Sequence, residues 1–581
     1  MKLKKKHIHI IIIAFLSLIV YFNTFFNGFV YDDHFFIVGN PEIRSLKNIP
    51  SYFSEPSVGN LYRPLRTALY PLVFSIWKLN PIGYHLNAIM LYALISILVY
   101  LIVFEVIGNR EFSLMVSLLF IAHPAHTARV ANMTASFDLM GILFMLLSIW
   151  LYIKYSKNNS IKNLILSVLF FLLGLFSSEE ALMTPLYILL YEGGKNTANA
   201  NKWTASKKIA AILFFAIIIV FLVLRYFVLG QVGRTAEYFM GGFTTRLFST
   251  AVIFLRYIRI LFFPFWLTVD YYVKLYDSIS LLPVIGILVF LTIAFVVVLI
   301  RKKSFPIYFF LGWFLIALIP FLNIFPVTTF MADRYLFTSS LGFVGVLGYA
   351  IFSFGKKYKK TALVLIILIF AGYCYGTISR NSEWGSDVGL QEMAVRRQPL
   401  SSTAYNNLGF EYERINRKED ALIAYETSIR LNPLNHIAWL NLGTLYGASK
   451  DYTKGIYFIN SSINIYPTYK AYNNMGLLYR DIGEYNTAVF YLNKAIEHDP
   501  RLAKARIDLA ITLAEMGEFD NALAEFNKAL KINPYSADAH YNLAILYEFL
   551  NQTDEAKKEI TIASSLEPDN KLFINKLKRY K

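Results

Sequence analysis

The sequence holds a single cysteine in 581 residues, Cys374, set inside an apolar run. An intrachain disulfide and a cysteine metal cluster are both excluded. Charge is scarce as well: Asp, Glu, Lys and Arg make up 16% of the chain, against 56% hydrophobic residues. That balance is too apolar for a soluble chain of this length, and the long apolar runs read as membrane spans. Acidic residues are the scarcer sign, 39 against 56 basic ones, for a formal net charge of +17. Nucleic-acid binding needs such a surplus gathered into a stripe on one folded face. Here many of the Lys and Arg lie in short loops beside apolar segments, so they read as topology charge and no nucleic-acid partner is expected. The chain has no Walker phosphate loop and no Gly-rich dinucleotide fingerprint, which argues against a nucleotide-driven pump. It has no zinc signature either, because His123 and His126 lack a third convincing ligand nearby.

What is present falls into two unequal parts. Residues 1–380 are dominated by apolar segments near 8–26, 85–107, 112–130, 138–155, 161–178, 180–192, 208–229, 281–300, 305–322, 337–353 and 361–378. Several are shorter than the roughly 20 residues of a straight crossing. The Lys-rich start, Lys2 to Lys6, is followed by no small-residue cleavage site, so the first segment reads as an uncleaved helix. Cytoplasmic loops carry the excess of Lys and Arg. The clusters Lys154/Lys157/Lys162, Lys195/Lys202/Lys207/Lys208, Arg301/Lys302/Lys303 and Lys356/Lys357/Lys359/Lys360 share the N-terminal side if 246–265 does not cross. That run is therefore expected as a re-entrant or interfacial segment beside about 11 spans. The N-terminus is then cytoplasmic. The C-terminal part lies outside the cytoplasm, whether in a periplasm, at the cell exterior or in the ER lumen.

Residues 400–568 repeat. Prolines at 399, 433, 467, 500, 534 and 568 set a period of 34 residues, once 33. Tyr405, Leu408, Gly409, Tyr412, Ala421 and Tyr425 open the first of five repeats of one pattern, the tetratricopeptide (TPR) signature. Gly or Ala lets the two helices of a repeat approach, large residues fill the groove between them, and the proline ends the second helix. Five repeats bury a continuous core, with the Lys-rich tail 569–581 as its cap. The expected fold is all-α: a polytopic membrane domain over 1–380, a linker over 381–399, the TPR α-solenoid over 400–568, and the tail.

With this topology, charged residues recur at one membrane face. They are Asp32-Asp33-His34, Arg63 and Arg66, His123, His126, Arg129 and Asp138, Glu179-Glu180, Asp270, and Asp333-Arg334. Charges at membrane depth face a cavity or a partner, so their convergence suggests a pocket open to that side. Six short motifs stand in order: Val30-Tyr-Asp-Asp33, Tyr62-Arg-Pro-Leu65, Ala122-His-Pro-Ala-His-Thr127 with Asp138, Ser178-Glu-Glu180, Val269-Asp-Tyr271 and Ala332-Asp-Arg-Tyr335. Together with the repeats, and over nearly the whole chain, they resemble the transmembrane and tetratricopeptide repeat-containing (TMTC) family of the GT-C glycosyltransferase superfamily. Five repeats look few beside the family's animal members.

The resemblance implies transfer of a mannose-like sugar from a polyprenyl-phosphate donor to an extracytoplasmic acceptor, a protein Ser or Thr hydroxyl held in the TPR groove. Such chemistry needs a carboxylate to take the acceptor's proton and a cation on the departing phosphate, where Arg binds with a fork of hydrogen bonds. On that basis Asp32 or Asp33 is the base, and the other orients it or binds the sugar or a metal. Arg334 is the first candidate for the phosphate and Arg63 the second, while His123, His126, Asp138, Glu180 and Asp333 line the pocket. No cofactor is implied beyond a divalent metal held by Asp32 and Asp33. Two alternatives stand beside this reading: an envelope glycan or lipid as acceptor, and a non-catalytic membrane-anchored TPR scaffold.

Overall fold

The computed structural model describes residues 5–56, 62–198, 204–230, 242–323, 329–568 and 570–580. Lys2 to Lys4 and Lys202 of the basic clusters, and residues 569 and 581 of the tail, lie outside them. The secondary structure is helical, with no strand among the described residues. The chain divides into two compact units, residues 1–397 and 398–581.

In the first unit, seven helices among the described residues are long and apolar enough to cross a membrane. They are Lys5–Phe26, Pro81–Ile107, Met133–Asn158, Ala205–Leu229, Leu281–Ile300, Asp333–Gly355 and Lys359–Glu383. Two shorter apolar helices, Ile161–Leu175 and Phe305–Phe321, match two more expected spans. The expected span 112–130 is instead a 13-residue helix, Arg110–Ala122, because Pro124 cannot continue it. The run 180–192 becomes a short turn, Glu179–Met183, followed by helix Thr184–Ala198. Most of the run 246–265 lies in one unbroken helix, Phe243–Phe262, with Arg246, Arg256 and Arg259 along it and a buried stripe from Ser249 to Leu261. Nor is 381–399 an open linker. Lys359–Glu383 ends in it, and a further helix, Asp387–Arg397, fills most of the rest, with Leu390 and Gln391 buried.

Small residues set the close crossings, as membrane helix packing requires. A methyl group on Gly342 would stand 2.5 Å from the Phe310 carbonyl oxygen and 2.5 Å from the Phe314 amide. Both are backbone atoms, so no rotamer change makes room. Gly342→Ala is therefore expected to destabilise this unit by about 1–3 kcal/mol, read as a lower melting midpoint in detergent. An unchanged midpoint would mean that the crossing is looser than this.

In the second unit, five helix pairs follow the proline period. The first helices of the pairs, here the A helices, are Ser402–Arg414, His436–Ala448, Tyr469–Ile482, Ala503–Glu515 and Ala537–Phe549. Each turns into its B helix through a residue of positive φ: Asn416, Lys450, Gly483, Gly517 and Asn551. Gly409, Gly443 and Gly476 abut Tyr425, Ile459 and Leu492 of their own B helices, and Ala421, Ala488, Ala522 and Ala556 are fully buried. The last helix, Lys571–Lys578, seats Phe573 in the cluster with Ile560 and Ala563, as expected of a cap.

Candidate active site

The first loop starts with a forced turn. Tyr31 has φ 56°, a left-handed conformation that costs a non-glycine residue roughly 1–2 kcal/mol. Asp387 holds it there: one carboxylate oxygen accepts the Tyr31 amide at 2.6 Å and the other lies 2.9 Å from His34 Nε2. The turn separates two neighbouring carboxylates. Asp33 is fully buried, accepting the Thr134 amide at 2.7 Å and the Val30 amide at 3.2 Å. Burial pushes its carboxyl up to about 6, against the pull of those hydrogen bonds. Asp32 is exposed, yet burial still raises its pKa, with Arg334 and Arg66 pulling it back. Exposure and an upward shift coexist where solvent reaches a carboxylate from one side and protein crowds the others. Asp32 is therefore the member of the pair whose oxygens are open to a substrate.

Helix Pro64–Trp77 begins with Arg63 at its N-cap and Arg66 in its first turn, cations at the end that favours anions. Their partners explain the placement. Asp138, at the start of Leu139–Asn158, lies 2.9 Å from Arg63, 2.6 Å from Arg66 and 3.6 Å from Arg129. Glu179 lies 2.5 Å from Arg63 and 3.4 Å from Arg225. Although burial opposes it, Arg63 and then Arg225 hold the Glu179 carboxyl down at about 2. Glu180 pairs with Arg129 and accepts the Thr338 hydroxyl at 2.5 Å. Arg129 in turn donates its Nε hydrogen to the Arg334 carbonyl at 3.1 Å. Four arginines and three carboxylates thus interlock and brace the Arg334 backbone.

Arg334 itself is different. Its guanidinium donates to the Thr329 hydroxyl at 3.3 Å and lies over the Tyr335 ring. Among the described residues no carboxylate comes within ion-pair distance of it. Helix Phe337–Gly355 continues from it, and residues Gly342 to Ala350 of that helix wall an apolar groove. Ile258, Leu261, Phe314, Phe343, Val346 and Leu347 are among its lining. At 1.5 Å per residue the groove opens about 12 Å from Arg334.

The sequence-predicted residues therefore divide. Asp32 is exposed and Arg334 half-buried, and the Arg334 charge acts on Asp32. Arg63, Asp138 and Glu180 belong to the ion-pair lattice, so Arg63 is engaged by two carboxylates already. Asp333 is buried, capping the Arg334 amide at 3.0 Å and lying 4.0 Å from Arg380. His123 and His126 lie in the packed interior. Both are fully buried. His123 bonds the Leu261 carbonyl and accepts the Ala125 amide, and His126 bridges the Tyr92 and Ser340 hydroxyls at 2.7 Å each. Each oxygen of Asp33 accepts one backbone amide. No group of three or more His, Cys, Asp or Glu able to hold a metal occurs among the described residues. Asp270 was named in a motif without a role. It presents a buried, unpaired carboxylate oxygen near Tyr31, and burial pushes it up to about 6. Asp387, within the expected linker, carried no motif that could have marked it.

Tetratricopeptide-repeat family models match residues 406–469 and 469–502, and further ones match 512–549 and 537–570. A protein O-mannosyl-transferase of Caenorhabditis elegans is 26% identical over 449 residues, 73% of this chain and 63% of that protein. Protein O-mannosyl-transferase TMTC3 of Homo sapiens is 24% identical over 477 residues, 73% of this chain and 52% of that one. The chain is a relative of the TMTC proteins. It spans little more than half the length of the TMTC proteins it matches. Among solved structures, a TPR protein titled as having an unusual peptide-binding site, YrrB, is 22% identical with a TM-score of 0.25. It covers 32% of this chain and 97% of its own.

Proposed function

We propose that this protein is a membrane glycosyltransferase that moves a mannose-like sugar from a polyprenyl-phosphate to a Ser or Thr hydroxyl of an extracytoplasmic protein. The observation that carries this reading is the open Asp32 carboxylate within electrostatic reach of Arg334, a guanidinium with no ion-pair partner among the described residues. Asp32 takes the acceptor hydroxyl's proton as its oxygen attacks the anomeric carbon. The bond from that carbon to the phosphate oxygen breaks, and the phosphate leaves with the bonding pair. Arg334 holds the leaving phosphate, and the apolar groove beside Phe337–Gly355 takes the start of the isoprenoid tail. Negative charge from Asp270 or Asp32 stabilises the developing positive charge on the sugar ring, as in glycoside chemistry. The activity for which these relatives are named supports the same class. The basic clusters support a cytoplasmic N-terminus, with the site and the repeats on the other side.

The test is reconstitution in vesicles with labelled polyprenyl-phosphate sugars and an unfolded Ser/Thr-rich protein. Transfer to protein is expected. Transfer to lipid or glycan alone would redirect the acceptor, and no turnover with any donor would leave a scaffold. Arg334→Ala is expected to raise the donor KM by about tenfold to a hundredfold, the worth of a hydrogen bond to a charged group. Arg334→Lys recovers part of this, because it keeps the charge and loses the fork. An unchanged donor KM in Arg334→Ala would remove Arg334 from the phosphate.

A further inference from the structure

The last long apolar helix of the first unit, Lys359–Glu383, ends in a carboxylate shared by two arginines. Glu383 accepts from Arg380, one turn back in the same helix. It also takes the fork of Arg397, 14 residues on, at 2.7 Å to each oxygen. The three side chains are nearly closed to solvent: Arg380 is 4% exposed, Glu383 12% and Arg397 14%. One arginine is enough to fasten helix Asp387–Arg397 to the helix before it. The second is explained by what the two arginines touch beyond Glu383.

Each arginine reaches a different part of the candidate site. Arg397 also donates to the carbonyl oxygen of Leu267. That carbonyl opens the bend 267–271, which is tied within itself. The Thr268 amide donates to the Tyr271 hydroxyl, and the Asp270 amide donates to the Thr268 hydroxyl, both at 3.4 Å. Asp270 therefore moves with Leu267. Arg380 faces Asp333. Its Nη2 stands 4.0 Å from Asp333 Oδ2, beyond hydrogen-bond reach, and neither atom has a hydrogen-bond partner among the described residues. Asp333 is 2% exposed, and its other oxygen caps the Arg334 amide at 3.0 Å. Opposite charges attract steeply at such a distance. The direct bond to Glu383 keeps Arg380 from closing on Asp333.

We propose that Glu383 is a positioning residue of the transfer reaction. Through Arg380 it sets the Asp333 cap on Arg334, and through Arg397 it sets the bend that carries Asp270. The proposal rests on the function put forward above, in which Arg334 holds the phosphate and Asp270 is one of the carboxylates beside the sugar ring. An arginine fork on a carboxylate fixes angle as well as distance, so one anchor keeps a cation and a carboxylate at a constant separation. The reaction needs that constancy. Phosphate and sugar ring are joined by a single bond until it breaks, and the two protein charges have to meet its two ends at once. A misplacement of about 1 Å costs up to about a hundredfold in rate. Asp387, four residues on, fastens the Tyr31 turn beside Asp32. The short stretch 383–397 thus has a hold on each of the three groups assigned to the reaction.

The test is hydrogen exchange read by mass spectrometry on the full chain in detergent, with steady-state kinetics beside it. Glu383→Asp keeps the charge and shortens the reach by one methylene. Amide exchange should quicken at least about tenfold in both 332–336 and 267–271, with exchange in the repeat helices and the melting midpoint unchanged. Arg380→Lys should loosen 332–336 alone, and Arg397→Lys 267–271 alone, since lysine keeps the charge and loses the fork. These two variants decide the matter if Glu383→Asp does not fold. In turnover, Arg380→Lys should raise the donor KM about threefold to tenfold at constant kcat. Arg397→Lys should lower kcat about tenfold at constant KM. Glu383→Asp should do both, and its effect on KM should vanish where Arg380 is already Lys. Exchange unchanged in both segments, loosening spread over the whole first unit, or kinetics untouched by loosened segments would overturn the proposal. The expected exchange pattern in a chain that transfers sugar from no donor would sink the proposed function and leave the anchor standing. Normal transfer with unaffected exchange would do the reverse.

Discussion

Asp32→Asn is expected to lower the rate of sugar transfer about a thousandfold, within the range set by removing a positioned general base. The melting midpoint and the donor KM should stay where they were. The two neighbouring carboxylates differ in what surrounds them. The Asp32 side chain is open and makes no hydrogen bond among the described residues, so the amide substitutes without structural loss. Asp33 is closed and ties the first loop to the Thr134 amide. Asp33→Asn keeps the volume and replaces one acceptor oxygen by a donor that faces a backbone N–H. Its expected signature is a loss of about 1–3 kcal/mol in stability, with the catalytic rate of the surviving fold near normal. Measuring rate and melting together on both variants separates the roles. A full rate in Asp32→Asn would dismiss it as the base. Loss of rate without loss of stability in Asp33→Asn would hand the role to its neighbour.

The second large effect falls on the lattice. Asp138→Ala leaves Arg66 without its carboxylate partner in a buried place and takes one of two carboxylates from each of Arg63 and Arg129. Removing one partner of a buried ion pair costs about 3–5 kcal/mol, because the remaining charge keeps its desolvation penalty. Three arginines converge on this one carboxylate, so the upper end of that range applies. The first unit should melt well below the unaltered protein, while the repeat unit, with clusters of its own, should keep its transition. Thermal unfolding followed by tryptophan fluorescence of the first unit and by far-ultraviolet dichroism tests both halves of this statement. An unshifted transition would mean that solvent already screens the lattice.

The repeats were legible because their packing is local. Gly409 meets Tyr425 sixteen residues on, and the proline that closes each pair stands in the same stretch. The apolar spans were legible by composition alone, except where a proline cut one short at Pro124. The site was legible only as a set of residue types on one side. Which arginine meets which carboxylate depends on how the helices cross, and no spacing encodes that. Arg63 therefore looked free for a phosphate, whereas the fold gives it to Asp138 and Glu179. His123 and His126 are expected at the pocket only because the topology puts them on the same membrane face as the carboxylates. Their hydrogen-bond partners, Leu261, Tyr92 and Ser340, are 138, 34 and 214 residues away. Asp387 was hidden for the opposite reason. It sits in a polar stretch that resembles a connector, and only its contact with Tyr31 gives it meaning.

That contact also fixes an order of events during synthesis. Tyr31 and Asp387 are 356 residues apart. At roughly 5–20 residues per second, the ribosome needs about 20–70 s to travel between them. Throughout that interval the first loop has been made, and the carboxylate that fastens its turn does not yet exist. Asp32 gains its final orientation only when almost all of the first unit has emerged. A nascent chain of this protein is thus without a finished site for most of its own translation.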